Sequence, residues 1–110
     1  MKLINFVVRE AMSRESLKGS LQALEITGVI DRWAFCFHDV VNGAVIPHYH
    51  VYVSQLKPDI VRDFCDSIVG GHLIGTVHNE RDVLLYMMRH GKCDTASIVA
   101  NFNVEKVINS

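Results

Sequence analysis

The sequence predicts an α+β fold in which two helices cover one face of an antiparallel sheet. Three observations predict it: apolar and polar residues alternate in four short segments, apolar residues recur at helical spacing in three others, and the segments follow the order βαββαβα. That order fits one sheet with its other face left open. The 110 residues are enough for one domain, 1–110.

The first half of the chain predicts one helix and three strands. Residues 2–9 form the first strand, because apolar side chains occupy alternate positions. Ser13 is the expected N-cap of the first helix, and Gly28 the left-handed residue that ends it. Strands are predicted at 32–39 and at 46–54.

The second half predicts two helices around a short strand. A helix at 57–69 has Pro58 in its first turn, where the missing amide hydrogen is tolerated. A strand follows at 72–77, and Asn79 caps a third helix at 80–90. The complete set of elements predicts a ferredoxin-like or RRM-like sheet, in which the first and third strands are central.

Composition indicates an ordinary globular protein. The net charge of −1 and the pI near 6.6 provide no overall attraction to nucleic acid, so any bound DNA must be gripped locally. The chain has neither a signal peptide nor an apolar run of membrane-spanning length, so we expect a soluble intracellular protein. Cys36, Cys65 and Cys93 are odd in number and lack CxxC spacing, which predicts reduced thiols that mostly pack.

Two histidines, His48 and His50, lie one residue apart in the third predicted strand. Residues i and i+2 of a strand point to the same face, with Cα atoms roughly 6.6 to 7 Å apart. Both rings could therefore turn toward one metal ion. Two histidines on a solvated strand face are the simpler interpretation of this pair alone.

The hairpin between the second and third strands decides whether His38 joins them. A two-residue turn at Asn42-Gly43 would point His38 away from His48, whereas a three-residue loop with a G1 bulge would place it on the histidine face, diagonal to His48. Only the second register aligns two apolar rows on one face: Trp33, Phe35 and Phe37 with Tyr49, Val51 and Val53. We therefore predict that His38, His48 and His50 share the open face.

Three converging imidazoles predict a catalytic metal site with open positions. Imidazole ligands favour Mn²⁺, Zn²⁺ or a related ion over Mg²⁺, which prefers oxygen. Asp39 could orient a ligand or join the shell.

Tyr86 is the candidate nucleophile. The apolar stripe of the third helix consists of Val83, Leu84, Met87 and Met88. Tyr86 lies off this stripe, beside Asp82, Arg89 and His90, and the preceding strand could bring it back across the histidine face. A phenol with a pKa near 10 attacks only when its charge is stabilised, which a nearby metal-bound electrophile would do.

These residues give the chain a resemblance to a known family. It resembles the catalytic domain of HUH endonucleases, specifically the single-tyrosine rolling-circle replication initiator (Rep) proteins of small bacterial plasmids. The similar segments, in the family's order, are Phe37-His38-Asp39, Pro47-His48-Tyr49-His50-Val51 and Leu85-Tyr86-Met87-Met88-Arg89-His90, with Gly28 and residues 98–102 also similar.

The resemblance implies a site and a reaction. His38, His48 and His50 would ligate a divalent metal, with Mn²⁺ expected and Mg²⁺ or another divalent ion as alternatives. Tyr86 would attack single-stranded DNA at a plasmid origin, leaving a 5′-phosphotyrosine and a free 3′-OH. Family members often carry an acidic ligand three positions after the first histidine; this chain has Val41 there, so Asp39 or water would take that place.

The resemblance also implies surroundings and partners. Such an enzyme acts in the bacterial cytoplasm without a membrane partner, and the missing oligomerisation region predicts a monomer. Tyr52 is a candidate for base stacking. Candidates for phosphate contacts are Arg9, Arg32, Arg81, Arg89 and Lys92.

Three other functions fit parts of the pattern. A single-tyrosine transposase of the same superfamily also joins a histidine pair to a helix-borne tyrosine, although the His38-Asp39 segment favours a Rep protein. A non-catalytic RRM-like module would share the βαββαβ order but would use exposed aromatic residues on the sheet. A hydrolase using metal-bound hydroxide would leave Tyr86 without a role.

Overall fold

The computed structural model describes residues 2–9, 12–38, 48–68, 72–91 and 97–110. The α+β class and the antiparallel sheet are confirmed. The first seven elements stand in the order βαββαβα, and a strand and a helix that the sequence did not predict follow them. The elements are β1 (Lys2–Arg9), α1 (Arg14–Ile26), β2 (Ile30–His38), β3 (His48–Gln55), α2 (Pro58–Ser67), β4 (His72–Val77), α3 (Glu80–Gly91), β5 (Val99–Ala100) and α4 (Val104–Ile108).

The described strands form one sheet in the order β4-β1-β3-β2-β5, with every neighbouring pair antiparallel. β1 and β3 are therefore interior strands, as expected from the sequence. Each of the eight residues of β3 is buried, because β3 is flanked by strands at both edges and covered on both faces. The histidine pair thus belongs to the centre of the sheet.

One face of the sheet packs against α1 and α2. Leu17 and Leu21 of α1 and Val61 and Cys65 of α2 meet a row of apolar strand residues in one buried cluster. The strand residues of this cluster include Ile4, Phe6, Val8, Trp33, Phe35, Tyr49, Val51 and Val53. The predicted alternation of the two rows is confirmed except at Phe37, which contacts the Tyr49 ring but is 39% exposed and lies outside this cluster. The alternation fixes the opposite face as the one that holds the histidines.

The opposite face is not open. A second buried cluster joins Cys36 and Tyr52 of the sheet to Leu84 and Met87 of α3 and Val104 of α4. The expectation of an exposed working face was wrong, because the apolar stripe of α3 needs a partner and finds it on this side of the sheet. The histidines lie beneath this helix rather than in bulk solvent.

The register between β2 and β3 places His38 directly opposite His48, and Cys36 opposite His50. The predicted face is correct, but the predicted diagonal relation between His38 and His48 is wrong. A shift of two residues keeps every side chain on its face, so the apolar rows could not distinguish the two registers. The intervening loop, with Asn42-Gly43 and Asp39, lies outside the described residues.

Local signals at the helix termini agree with the sequence. The Ser13 side chain accepts a hydrogen bond from the backbone of Ser16, and Gly28 has a φ of 77°. Asn79 Oδ1 accepts from the backbone N–H of Asp82, which caps α3 as predicted. Among the helices described, none combines the length and the apolar character needed to cross a membrane.

Candidate active site

Three imidazole rings lie together where β2 and β3 pair. His38, His48 and His50 are 0%, 8% and 1% exposed. The ring centroid of His38 is 5.1 Å from that of His48 and 5.6 Å from that of His50. Side chains on directly opposite strand residues are neighbours, so the pairing of β2 with β3 produces this cluster. The predicted juxtaposition of the three histidines is therefore present.

His38 is held by two further contacts. Its Nε2 lies 3.1 Å from the backbone oxygen of Met87 and 3.0 Å from the Sγ of Cys36. A carbonyl oxygen can only accept, so the contact with Met87 requires the proton on Nε2 and leaves the lone pair on Nδ1. Metal-bound histidines usually make this kind of second hydrogen bond to a backbone carbonyl. Through Met87, α3 controls the orientation of the ring.

The histidines fit a divalent metal in donor type. Imidazole nitrogen is a normal ligand of Mn²⁺ and Zn²⁺, and the cluster excludes most of the solvent. No group of three histidine, cysteine, aspartate or glutamate residues within the described ranges is already arranged to hold an ion. Since Nε2 of His38 faces Met87, binding requires ligation through Nδ1 of His38 or a rotation of its ring.

Tyr86 lies beside the histidines, at the outer side of α3. Its ring centroid is 5.3 Å from that of His50, with the two rings inclined at 71°. Its neighbours Val83, Leu84 and Met87 are buried, whereas Tyr86 is 46% exposed, so it stands off the apolar stripe as predicted. Tyr86 thus contacts the cluster and remains accessible to a large substrate.

A second polar cluster lies at the other end of the same face, where α3 begins. Glu80 accepts hydrogen bonds from Arg32 Nε at 2.8 Å, from Arg32 Nη2 at 2.6 Å and from the Tyr52 hydroxyl at 2.7 Å. The Arg32 guanidinium also stacks 4.1 Å from the centre of the Phe102 ring. Burial, followed by the hydrogen bond to Glu80, raises the pKa of Tyr52 above its ordinary value. This cluster anchors the first turn of α3 to β2 and β3.

The anchor changes two predicted DNA contacts. Tyr52 is completely buried, so the prediction that its ring stacks on a base was wrong. Arg32 donates from Nε and Nη2 to Glu80, although its side chain remains 38% exposed. Both results follow from α3 covering this face.

The remaining cationic candidates have different surroundings. Arg81 donates from Nε to the backbone oxygen of Ile108 at 2.9 Å. Arg89 is exposed and lies one turn beyond Tyr86 on α3. Arg9 lies opposite His48 in the register of β1 and β3, and its side chain is outside the described part of the structure. Lys92 and Asp39 also lie outside it.

Two site residues were overlooked in the sequence. Cys36 had been interpreted as a packing thiol, although strand alternation already placed it on the face of His38. Glu80 gave no signal, because its partner Arg32 is 48 residues away. Comparisons with family models, with curated proteins and with solved structures find no match for this chain.

Proposed function

We propose that this protein is an HUH-type endonuclease and strand transferase that nicks and rejoins single-stranded DNA through Tyr86. The proposal includes a divalent metal, with Mn²⁺ the expected ion, held by His38, His48 and His50. Its substrate is the replication origin of a small bacterial plasmid, so the protein acts in the bacterial cytoplasm and starts rolling-circle replication.

The observation that carries this proposal is the contact between Tyr86 and the histidine cluster. Residues from β2, β3 and α3, distant in sequence, meet with ring centroids between 5.1 and 5.6 Å apart. A half-exposed tyrosine against buried imidazoles is the arrangement that a metal-assisted phenol nucleophile requires. A hydrolase using metal-bound hydroxide would not need Tyr86 at this place.

The sheet supports the proposal at the level of architecture. The order β4-β1-β3-β2, with α1 and α2 on one face, is consistent with a ferredoxin-like core. In this proposal α3 brings the nucleophile to that core, while β5 and α4 extend it at the β2 edge. An RRM-like binding module is less well supported, since Tyr52, its expected stacking residue, is buried.

The proposed reaction is an in-line displacement at phosphorus. A divalent ion held by His38, His48 and His50 would supply Lewis acid polarisation of a non-bridging phosphate oxygen. The Tyr86 oxygen forms the new bond to phosphorus as the bond from phosphorus to the 3′ oxygen breaks. The phenol proton passes to solvent, which reaches Tyr86, and the departing 3′ oxygen takes up a proton. The reverse reaction rejoins the strand.

The DNA would pass along the exposed side of α3. Arg89 lies three residues after Tyr86 on this helix and is exposed, so it can neutralise a phosphate next to the scissile one. Arg32 is not assigned this role, because Glu80 occupies its guanidinium. Because the histidines are buried, only the phosphate that lies beside Tyr86 can approach them.

The test is covalent capture of DNA. The full chain is incubated with Mn²⁺ and a randomised pool of single-stranded oligonucleotides labelled at the 3′ end, since the 3′-side fragment stays on the enzyme. We expect a labelled adduct on a denaturing protein gel. Tyr86→Phe should abolish it, and Tyr49→Phe, which changes a tyrosine on the other face, should retain it.

Two results would contradict the proposal. One is an adduct of undiminished yield in Tyr86→Phe, and the other is the absence of any adduct from the wild-type chain across the whole pool. Sequencing the captured DNA would then identify the preferred site. Joining of the captured strand to an added 3′-OH acceptor would distinguish origin nicking from transposase-like target joining.

A further inference from the structure

Cys36 completes a patch of four metal-binding side chains on two paired strands. It lies opposite His50, and two residues farther along β2 His38 lies opposite His48. Directly opposite Cβ atoms are about 4.5 to 5.5 Å apart, and i,i+2 neighbours on one face are about 7 Å apart. The four donors therefore occupy the corners of a small rectangle beneath α3.

Cys36 and His38 are already in contact within this patch. The Cys36 Sγ is 3.0 Å from Nε2 of His38, and these residues are 1% and 0% exposed. Thiolate sulfur and imidazole nitrogen are the two commonest ligand atoms of Zn²⁺ in proteins. The contact between Cys36 and His38 thus places a sulfur atom, a soft metal ligand, next to the histidine cluster.

We infer that Cys36 is the fourth donor of this cluster and that Zn²⁺ recruits it, giving a closed Cys-His₃ site. This inference rests on the metal site of the proposed function. Soft thiolate ligands favour Zn²⁺, whereas Mn²⁺ prefers oxygen and accepts imidazole. Mn²⁺ therefore uses the histidines and keeps a position for phosphate, whereas Zn²⁺ bound by four protein ligands has no open position. Zinc acts as an inhibitor of this protein.

The chemistry of recruitment is a proton exchange. The bond from sulfur to zinc forms as the S–H bond of Cys36 breaks, and the proton is released to the buffer. Cys36 exchanges its contact with His38 for the metal, and His38 ligates either through Nδ1, which keeps the bond from Nε2 to Met87, or after a rotation of its ring.

The experiment uses Co²⁺ as an optical substitute for Zn²⁺ in the full chain. Thiolate ligation gives a charge-transfer absorption in the near ultraviolet, which imidazole ligation alone does not. We expect this band in the wild-type protein and in a Cys65→Ser, Cys93→Ser double variant, and its loss in Cys36→Ser. Cys65 is a suitable control because it is buried in the other core, where burial raises the pKa of its thiol.

Metal affinities separate a ligand from a packing residue. Cys36→Ser should lower the Zn²⁺ affinity by roughly 100-fold, since even outer-shell substitutions cost about 10- to 100-fold, and should leave the Mn²⁺ affinity unchanged. An equal loss for both ions would mean a structural role and would overturn the inference. If Cys36→Ser does not fold, the Co²⁺ spectrum of the double variant decides alone.

The remaining outcomes distinguish the two proposals. Co²⁺ bound with imidazole bands but without the thiolate band would overturn the role of Cys36 and leave the histidine site intact. Failure of the wild-type chain to bind Mn²⁺, Zn²⁺ and Co²⁺ would overturn both this inference and the metal of the proposed function.

Discussion

Both ends of α3 pack on the same face of the sheet, but the side chains that they contact there differ in chemistry. At its first turn, Glu80 meets Arg32 and Tyr52 in a charge-balanced network of three hydrogen bonds. Near its last turn, the backbone of Met87 and the ring of Tyr86 meet imidazoles and a thiol. The first turn pairs a carboxylate with a guanidinium cation. Near the last turn, the neighbouring side chains are imidazoles and a thiol, whose lone pairs can bind a metal ion.

The difference indicates which end supports the helix and, under the proposed function, which end binds the metal. Hydrogen bonds to charged groups that satisfy one another stabilise a fold, by about 1.5 to 3 kcal/mol each. In the proposed function, the imidazoles near the other end bind a metal ion. We therefore expect substitutions at the first turn to change stability and substitutions near the last turn to change binding.

The largest expected effect is at the histidine end. His50→Ala should abolish Mn²⁺ binding and adduct formation, because it removes a proposed metal ligand whose ring contacts that of Tyr86. Isothermal titration calorimetry measures the first effect, and the labelled gel the second. His78→Ala changes an exposed histidine before α3 and should behave as wild type.

Folding provides the check on this substitution. Cooperative thermal unfolding of His50→Ala should persist, since β3 keeps its backbone pairing on both sides. If this variant bound Mn²⁺ with wild-type affinity, His50 would not be a metal ligand and the proposed metal site would be contradicted.

A smaller effect is expected at the anchor. Glu80→Ala removes the acceptor shared by Arg32 and Tyr52 and should lower the free energy of unfolding by about 2 to 3 kcal/mol, measured by urea denaturation. Glu80→Gln keeps one acceptor and should lose less. If Glu80→Ala costs under about 0.5 kcal/mol, the range of an ordinary surface change, the network does not anchor the helix.

The pH dependence of stability sharpens the same point. Because the pKa of Tyr52 is raised in the folded state, the unfolded chain loses this proton above about pH 10 while the folded chain retains it. The free energy of unfolding should therefore decrease as the pH rises above about 10. Tyr52→Phe should reduce this decrease and cost about 1 kcal/mol at neutral pH. Equal slopes in the two proteins would contradict the assignment.

The smallest effect concerns Phe102, whose ring supports the Arg32 guanidinium. Phe102→Leu keeps an apolar side chain but removes the cation–π contact, so we expect a loss of about 0.5 to 1 kcal/mol in urea denaturation. Phe102→Tyr retains an aromatic face and serves as the control. A loss of equal size in Phe102→Tyr would assign the effect to packing instead.

Sequence periodicity predicted the parts of the fold that depend on nearest neighbours. The bounds of β1 and β4, the cap at Asn79 and the left-handed Gly28 follow from local geometry. The face of His38 also followed, because a one-residue slip would expose an apolar row. The final register of His38 against His48 did not, because a two-residue slip leaves those rows unchanged.

Tertiary packing determined the remainder. β5 has two residues and α4 has five, too few to display a period, and they are positioned by contacts such as the 2.9 Å bond from the backbone of Trp33 to Asn101. The sequence allowed α3 to cross the histidine face, but the burial of Tyr52 required knowing that α3 and α4 cover it together. The role of Glu80 needed the same knowledge, since its partner precedes it by 48 residues.

The central position of β3 has a consequence for hydrogen exchange. Its backbone pairs with β1 on one side and β2 on the other, and all eight of its residues are buried. Amide protons in such a strand exchange with solvent only when much of the molecule unfolds. His48 and His50 should therefore belong to the most slowly exchanging segment, and the strand that carries them should keep its shape whether or not an ion is bound.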